Sequence, residues 1–397
     1  MQEAVKSVQR AAEIKNFRLL GHDPSAAWGG GSLVEVKDGF AYVGSVGKSW
    51  YTAPEGFTVH DVSDPGKPRK VAEILAPPGV HSHKLRIVGD HFLYVNAERL
   101  PAEKGAGARP GFCIYDISKP SEPKQVGFFD LPGEGPHRFG VDNERQLAFF
   151  PNQAEGWDEN VIWTMDIRDP LKPEVLSIWG LPDQKSDGKP KEKPARPELR
   201  TEFHGPAVIR GDRMYAAFCG GGVAVIDCTD LRNMKLVGHV NWTPPFLGKT
   251  HTAWPLGDRP YLIVTDEGSG REKFWESQFM WVVDIRNETN PVPISTFMPD
   301  RDKYFNRPGR FGAHNVLEYM PAEGPWANLV FLTYFNAGLR VVDVKDVFHP
   351  KEVAHFVPAL PAGQEDIQSN DIGYDEHGRI YLIDRWGAGM HILEYTG

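Results

Sequence analysis

The stretch TVHDVSDPGKPRKVAEI (58–74) joins two apolar strands through a turn rich in Ser, Asp and Pro, and its first strand ends in Asp61. The same phrase returns in CIYDISKPSEPKQVGFF (113–129), WTMDIRDPLKPEVLSIW (163–179), AVIDCTDLRNMKLVGHV (224–240), WVVDIRNETNPVPISTF (281–297) and RVVDVKDVFHPKEVAHF (340–356). Successive copies lie 50 to 61 residues apart. Such regular spacing indicates a structural repeat, in which every copy adopts the same local fold.

Two further strands separate successive copies of this phrase. They are clearest in KLRIVGDHFLYVN (84–96), AVIRGDRMYAAF (207–218) and DIGYDEHGRIYLID (371–384), where β-branched and aromatic residues flank Gly-Asp or His-Gly turns. Such segments are typical of β-hairpins. Each repeat therefore contributes four antiparallel strands, and four-stranded units of about 50 residues are typical of propeller blades.

The two ends of the chain complement one another. The last unit has three strands and ends in MHILEYTG (390–397), while NFRLLGHDP (16–24) matches the pattern of the fourth strand MKLVGHVNW (234–242). An N-terminal strand in the C-terminal blade would close the ring and remove exposed sheet edges. The sequence predicts an all-β fold, a seven-bladed β-propeller of four-stranded antiparallel blades. Residues 1–15 are then an N-terminal extension, and residues 16–397 form a single domain.

Composition and charge narrow the classes of function. The 397 residues carry a net charge of −9, which argues against a dedicated nucleic-acid binder because such proteins need a concentrated basic face. No apolar run approaches the roughly 20 residues that span a bilayer, and residues 1–17 lack the apolar core of a secretory signal. The three cysteines have no CxxC spacing, which fits a reducing compartment. We expect a cytoplasmic protein with no nucleic-acid partner and no membrane partner.

The repeated phrase also resembles a known family. The Asp-(Val/Ile)-Ser-Asp-Pro pattern, together with GLRVVDV at 338–344, resembles the LVIVD-repeat family of bacterial propellers. The resemblance covers essentially the whole chain from about Asn16. It implies the propeller fold and carries over no catalytic residue.

Histidine opens the innermost strand in five of the seven units. Aligned on their hairpins, these positions are His83 in GVHSHKL, His137 in GPHRFG, His204 in FHGPAV, His251 in KTHTAW and His314 in GAHNVL. The seventh unit has Asn370 and Asp371 there, and the first has the glycines at 29–31. Because innermost strands surround one axis, we expect these imidazoles to converge, and neutral imidazoles bind zinc, copper or iron. The alternative is a packing histidine that was copied with the repeat.

The arrangement is similar to two groups of enzymes. Carotenoid-cleaving oxygenases are seven-bladed propellers that hold ferrous iron on four histidines, and selenium-binding and methanethiol-oxidase propellers are thought to use histidine-bound copper. The similarity implies one transition metal ion, with Fe(II) as the first choice and copper or zinc as alternatives. Its candidate ligands are His83, His137, His204, His251 and His314. One of the five is expected to lie outside the ligand shell, or to act as an acid or base.

Charged and aromatic residues are expected around this metal. Asp371 and Glu267 are candidate catalytic residues, and Glu98 is placed to orient an imidazole. The candidates for substrate binding are Arg138, Arg310, Arg385, Trp254 and Phe311. Apolar walls with a few cations suit a small aromatic or unsaturated carboxylate, although arginine and aromatic residues also pack between blades. The segment 183–200 is expected to be a loop over the same face, with a lid as one option.

The leading hypothesis is a non-haem iron oxygenase that uses dioxygen to cleave a small aromatic or unsaturated organic acid. A copper oxidase and a zinc hydrolase or lyase would use the same site. The competing class is a non-catalytic propeller that binds or scaffolds other molecules.

Overall fold

A computed structural model describes residues 10–47, 54–100, 107–188, 194, 199–243, 245–246, 248–268, 278–319 and 323–397 of the chain. Within these residues the strands form seven antiparallel sheets, and each sheet consists of neighbouring segments of the chain apart from two strands near the N-terminus. The predicted seven-bladed β-propeller is therefore confirmed.

The two N-terminal strands, β1 (Glu13–Lys15) and β2 (Phe17–Asp23), join the last two blades. Phe17 of β2 lies opposite Tyr395 and Asp23 lies opposite Met390, so β2 supplies the fourth strand of the C-terminal blade as predicted. β1 belongs to the sheet of blade six, where Glu13 lies opposite Val357.

Blades one to three follow the chain without interruption. Blade one consists of β3 (Gly31–Lys37), β4 (Phe40–Ser45), β5 (Gly56–Asp61) and β6 (Arg69–Leu75). Blade two consists of β7 (Val80–His81), β8 (Leu85–Val88), β9 (Phe92–Arg99), β10 (Gly111–Asp116) and β11 (Lys124–Asp130). Blade three consists of β12 (Gly140–Asp142), β13 (Leu147–Asn152), β14 (Val161–Asp166) and β15 (Glu174–Trp179). In blade two, β7 and β8 both pair with β9, so the innermost strand is divided around His83.

Blades four to seven repeat this order. Blade four consists of β16 (Val208–Arg210), β17 (Arg213–Ala217), β18 (Val223–Asp227) and β19 (Lys235–Val240), and blade five of β20 (Lys249–Pro255), β21 (Tyr261–Glu267), β22 (Met280–Asp284) and β23 (Val292–Phe297). Blade six contains β24 (Leu329–Thr333), β25 (Leu339–Asp343) and β26 (Lys351–Val357). Blade seven contains β27 (Ser369–Tyr374), β28 (Ile380–Asp384) and β29 (Met390–Tyr395). The inner edge of blade six is formed by residues around Val316, which makes a single antiparallel bridge to Leu332.

Helical structure is limited to single turns in the described residues. These are the 3-10 turns Ala26–Gly29 and Pro182–Gln184 and the α-helical turn α1 (Arg301–Tyr304). None of the helices found there has the length and apolar character needed to cross a membrane.

The recurring aspartate has a structural explanation in its turn. Each copy accepts a hydrogen bond on Oδ1 from the backbone N–H two residues later, at 2.7–3.2 Å, which forms an Asx turn. The six residues are Asp61, Asp116, Asp166, Asp227, Asp284 and Asp343. The turn directs the chain into the outermost strand of each blade.

Apolar side chains fill the interfaces between neighbouring blades. Val225 of blade four and Val264 of blade five share one cluster, and Val43 of blade one and Ile392 of blade seven share another. The middle strands are buried along most of their length, while an outermost strand such as β6 is largely exposed. The blades therefore hold the start of every innermost strand in a fixed place around the axis.

Candidate metal centre

The five predicted histidines come together although they belong to five blades. We call them the histidine arc, because each ring contacts the next in chain order. The ring centroids of successive members are 4.9, 5.4, 4.3 and 4.5 Å apart, for the residues His83, His137, His204, His251 and His314. The propeller symmetry thus brings side chains 231 positions apart in sequence into one continuous row.

Burial keeps the imidazoles of the arc in the neutral form. His83, His204, His251 and His314 are almost completely buried, and burial holds the pKa of each well below its usual range. Burial also lowers the pKa of His137, although Glu98 opposes this shift. A neutral imidazole keeps one nitrogen lone pair, which is the form that binds a metal ion.

Hydrogen bonds fix the tautomer of two arc members. His137 Nδ1 donates to Glu98 Oε2 at 2.8 Å, and His314 Nδ1 donates to the backbone oxygen of Asn370 at 2.7 Å. With the proton on Nδ1, Nε2 carries the lone pair in both rings. This carboxylate or carbonyl support is the usual arrangement behind metal-binding histidines.

His251 has a different environment. Its Nδ1 lies 3.0 Å from Arg138 Nη1 and 2.8 Å from Thr252 Oγ1. Since arginine can only donate, Arg138 favours the tautomer in which Nδ1 accepts and Nε2 carries the proton. A metal at Nε2 would require the opposite tautomer, with Nδ1 donating to Thr252 Oγ1.

The possible ligand atoms separate into two groups of three in the part of the chain that the structure describes. One group is His204, His251 and Glu267, and the other is His81, His83 and Glu98. In each group one ligand atom per residue lies within 4.8 Å of the other two. Each group therefore offers two imidazoles and one carboxylate, whereas the sequence suggested four or five histidines around a single ion.

Glu267 lies inside a cluster of positive charge. Its Oε2 is 3.0 Å from Lys249 Nζ, and its Oε1 accepts from Arg310 Nη2 at 2.5 Å and lies 3.7 Å from His314 Nε2. Burial alone would raise the pKa of Glu267, but Lys249 and Arg310 hold it well below its usual range. The carboxylate is therefore ionised beside the arc.

Arg310 and Arg385 form a cationic side of the site. The two guanidinium carbons lie 4.3 and 5.8 Å from the centre of the Phe335 ring, whose face also contacts His314. Arg310 Nε donates to the backbone oxygen of Gly268 at 2.7 Å. Burial, and next Arg310, lower the pKa of Arg385 to about 9.

Asp371 lies one residue beyond the level of the arc, because Asn370 occupies the position equivalent to His314. Its Oδ1 accepts from Asn315 Nδ2 at 2.6 Å, and its Oδ2 accepts from the backbone N–H of Val34 at 3.1 Å. Burial raises the pKa of Asp371. The carboxylate thus links blades one, six and seven beneath the arc.

A buried ion-pair network underlies this level. Glu318 accepts from Arg138 Nη2 and from Arg86 Nη2, both at 2.6 Å, and Arg86 also contacts Glu35. Arg138, which was expected to bind substrate, is therefore held between Glu318 and His251. The network crosses the axis and joins blades one, two, three and six.

Trp254 and Phe311 lie away from the arc. Trp254 packs edge-on against Tyr319, 5.1 Å between centroids, and lines a cavity of about 570 Å³ at the opposite end of the innermost strands. Phe311 is fully buried between blades, with its ring 5.8 Å from Phe305 and 5.2 Å from Tyr334. Neither ring faces the histidines. Of the segment 183–200, residues 189–193 and 195–198 lie outside the described residues.

Comparison with known proteins supports the architecture. A protein from Lactobacillus plantarum has 14% identity and a TM-score of 0.59, with 89% of this chain and 99% of that chain covered. The periplasmic gluconolactonase of Pseudomonas aeruginosa has 13% identity and a TM-score of 0.57, with 97% of each chain covered. The Swd1 (Cps50) β-propeller domain of Myceliophteria thermophila has 12% identity and a TM-score of 0.55, with 96% and 98% covered.

These likenesses show the fold alone. No family model matches the chain, and neither does any curated protein sequence. The LVIVD-repeat resemblance therefore remains a prediction from the repeated phrase.

Sequence reasoning missed two residues near the arc. His81 stacks on His83 with 3.9 Å between centroids, and Glu55 Oε2 accepts from His81 Nδ1 at 2.8 Å. The spacing His-Ser-His was the available signal, because residues two apart on an extended chain point to the same side. Glu55 gave no such signal.

Proposed function

We propose that this protein is a metal-dependent enzyme whose metal ion is held by His204, His251 and Glu267. The observation that carries the proposal is this group itself, two buried neutral imidazoles and one ionised carboxylate within 4.8 Å of one another. Two histidines and one carboxylate are the characteristic donor set of non-haem Fe(II) oxygenases. The proposed reaction is therefore the oxidative cleavage of a small aromatic or unsaturated organic acid by dioxygen.

The residues present suit a bound divalent ion. His204 Nδ1 is buried and has no hydrogen-bond partner among the described residues. Such an atom loses its water on folding without compensation, and a metal would supply the missing interaction. Glu267 offers negative charge, and the remaining lone pairs of its carboxylate are enough for a ligand bond beside the contacts with Lys249 and Arg310.

The protein's own side chains would bind and orient the substrate. Arg385 and Arg310 would supply positive charge for a substrate carboxylate, and the Phe335 ring near both would supply an aromatic surface. Ferrous iron, when bound, would supply the activation of dioxygen.

Asp371 is better suited to positioning than to the catalytic role expected from the sequence. Both of its oxygens accept hydrogen bonds from neighbouring blades. It would therefore hold Asn315 and β3 in place below the arc. His314 and His137, with Nε2 as the acceptor, are the candidates to complete the ligand shell or to accept a proton.

Metal content is the experiment that tests this proposal. We expect untagged purified protein to contain iron, and we expect His204→Ala combined with His251→Ala to lose it while the β-sheet circular dichroism persists. Oxygen uptake would then be measured with a panel of aromatic and unsaturated carboxylic acids. Copper would support an oxidase instead. Zinc would support hydrolysis, the class to which the similar gluconolactonase belongs by its name.

One result would overturn the enzyme proposal. If the protein contains less than about a tenth of an equivalent of iron, copper and zinc, and none of them binds to the purified protein on titration, the propeller is a binding or scaffolding protein.

A further inference from the structure

We propose that the protein has a second metal site, formed by His81, His83 and Glu98 at the end of the histidine arc. The site would take a divalent transition metal ion such as Zn²⁺ or Fe²⁺. The inference goes beyond the proposed function, because its three ligands are not shared with the His204 group and do not require that group to be occupied.

The local fold brings these three residues together for simple reasons. The strand pair β7–β9 places His81 directly opposite Glu98, and the extended chain through Ser82 places His83 on the same side as His81. The two rings stack with 3.9 Å between centroids and 21° between planes, and both are fully buried. One ligand atom from each of the three residues lies within 4.8 Å of the others.

Glu55 supports His81 in the manner of a residue behind a metal ligand. Glu55 Oε2 accepts from His81 Nδ1 at 2.8 Å and from the backbone N–H of Ser82 at 3.3 Å. The carboxylate fixes the proton on Nδ1, so Nε2 carries the lone pair of the His81 ring. A carboxylate–histidine pair of this kind orients the ring and raises its basicity as a ligand.

Glu98 supplies the negative charge of the site. Burial alone would raise its pKa, but His137 holds the pKa of Glu98 below its usual range, so the carboxylate is ionised. One oxygen, Oε2, accepts from His137 Nδ1, and the carboxylate has a second oxygen for a metal ion. Two imidazoles and one carboxylate are donor groups that divalent transition metal ions bind.

His137 separates the proposed site from the His204 group. Its ring contacts His83 on one side, at 4.9 Å, and His204 on the other, at 5.4 Å. The two groups of candidate ligands therefore lie along the same arc with one imidazole between them.

The test is a titration of metal-free, full-length protein with Zn²⁺ followed by calorimetry, and with Co²⁺ followed by absorption. We expect two equivalents to bind. His81→Ala should bind one equivalent, at the His204 group. The double variant His204→Ala with His251→Ala should bind one equivalent, at the second site. The control His349→Ala, which changes an exposed side chain, should still bind two equivalents. Glu55→Gln should keep two equivalents but weaken one by about 10- to 100-fold, as expected for a positioning residue.

The outcomes distinguish this site from the one in the proposed function. If the wild type binds one equivalent and His81→Ala still binds it, the second site is overturned and the proposed function stands. If the wild type binds one equivalent and only His81→Ala loses it, the second site is supported and the His204 group is overturned. If His81→Ala fails to fold, Glu98→Gln replaces it, since this partly exposed position accepts an amide of the same size. No binding at all overturns both.

Discussion

His22 and His391 stack face to face across the strand pair that closes the propeller, with 4.3 Å between ring centroids and 21° between planes. His22 Nε2 donates to the backbone oxygen of Ala388 at 2.6 Å. Burial, and next the neighbouring His22, lower the pKa of His391 to about 3. The closure of the ring therefore depends on a histidine that must stay neutral.

This pair predicts a loss of stability in acid. Unfolded His391 has a pKa near 6.5, so below that pH the unfolded chain binds a proton that the folded chain excludes. The neutral His391 costs the folded protein no stability above about pH 6.5. As the pH falls from there towards 3, the free energy of unfolding decreases by about 1.4 kcal/mol per pH unit. Urea unfolding at pH 7 and pH 4.5 should show a smaller pH-dependent loss in His391→Leu than in the wild type. Equal losses in both, with His349→Ala as control, would contradict this.

Glu318 is predicted to be essential for stability, because it is the shared partner of Arg86 and Arg138 beneath the arc. Glu318→Gln removes the carboxylate that pairs with the buried Arg138 and leaves Arg86 with Glu35 alone, which should cost about 3–5 kcal/mol of unfolding free energy. Arg18→Ala, which breaks the exposed pair with Glu394, should cost less than about 1 kcal/mol. Similar losses of unfolding free energy for the two variants in urea would show that the buried network stabilises the fold no more than an exposed ion pair does.

Glu267 and Lys249 should affect metal affinity in opposite directions. Glu267→Gln removes the ligand charge and should weaken binding at the His204 group by on the order of tenfold or more. Lys249→Met removes a cation 3.0 Å from Glu267 Oε2, while Arg310 still keeps that carboxylate ionised, so binding should become tighter. Competition with a coloured chelator measures both.

The control for that pair is Glu352→Gln, a carboxylate that contacts Arg340 and His355 outside the arc. It should leave metal affinity unchanged. Weaker binding in Lys249→Met would mean that Lys249 supports the site and does not compete with the metal.

The repeated Asx turns should contribute equally in different blades. Asp116→Ala and Asp227→Ala each remove one side-chain acceptor for a backbone N–H, at 2.8 and 2.9 Å. Each change should cost about 0.5–1.5 kcal/mol, and the double variant should lose the sum because the two turns share no contacts. A cost near zero in chemical denaturation would show that water replaces the aspartate without penalty.

The blades and the arc were predictable because both follow from periodicity. A phrase that recurs along the chain fixes equivalent positions, and equivalent positions on innermost strands meet at the axis, as His83 and His314 do. The closing strand β2 was predictable for the same reason, since its pattern matches β19. Symmetry therefore reveals which residues share a level.

Contacts that do not follow the repeat could not be predicted from the sequence. Glu318 and Arg86 are 232 positions apart, and nothing in either segment marks the other as a partner. Trp254 lies only three residues after His251, but three residues along a strand cover about 10 Å, so the ring lies at the far end. Phe311 precedes His314 by three residues and turns into the core between blades.

The placement of β2 also governs the order of assembly. Phe17 is synthesised 378 positions before its partner Tyr395. Until β29 has been made, the last blade is incomplete and β2 has no partner strand. Circularisation must therefore follow the synthesis of the blades in between, and its speed is set by a search between segments at large sequence separation.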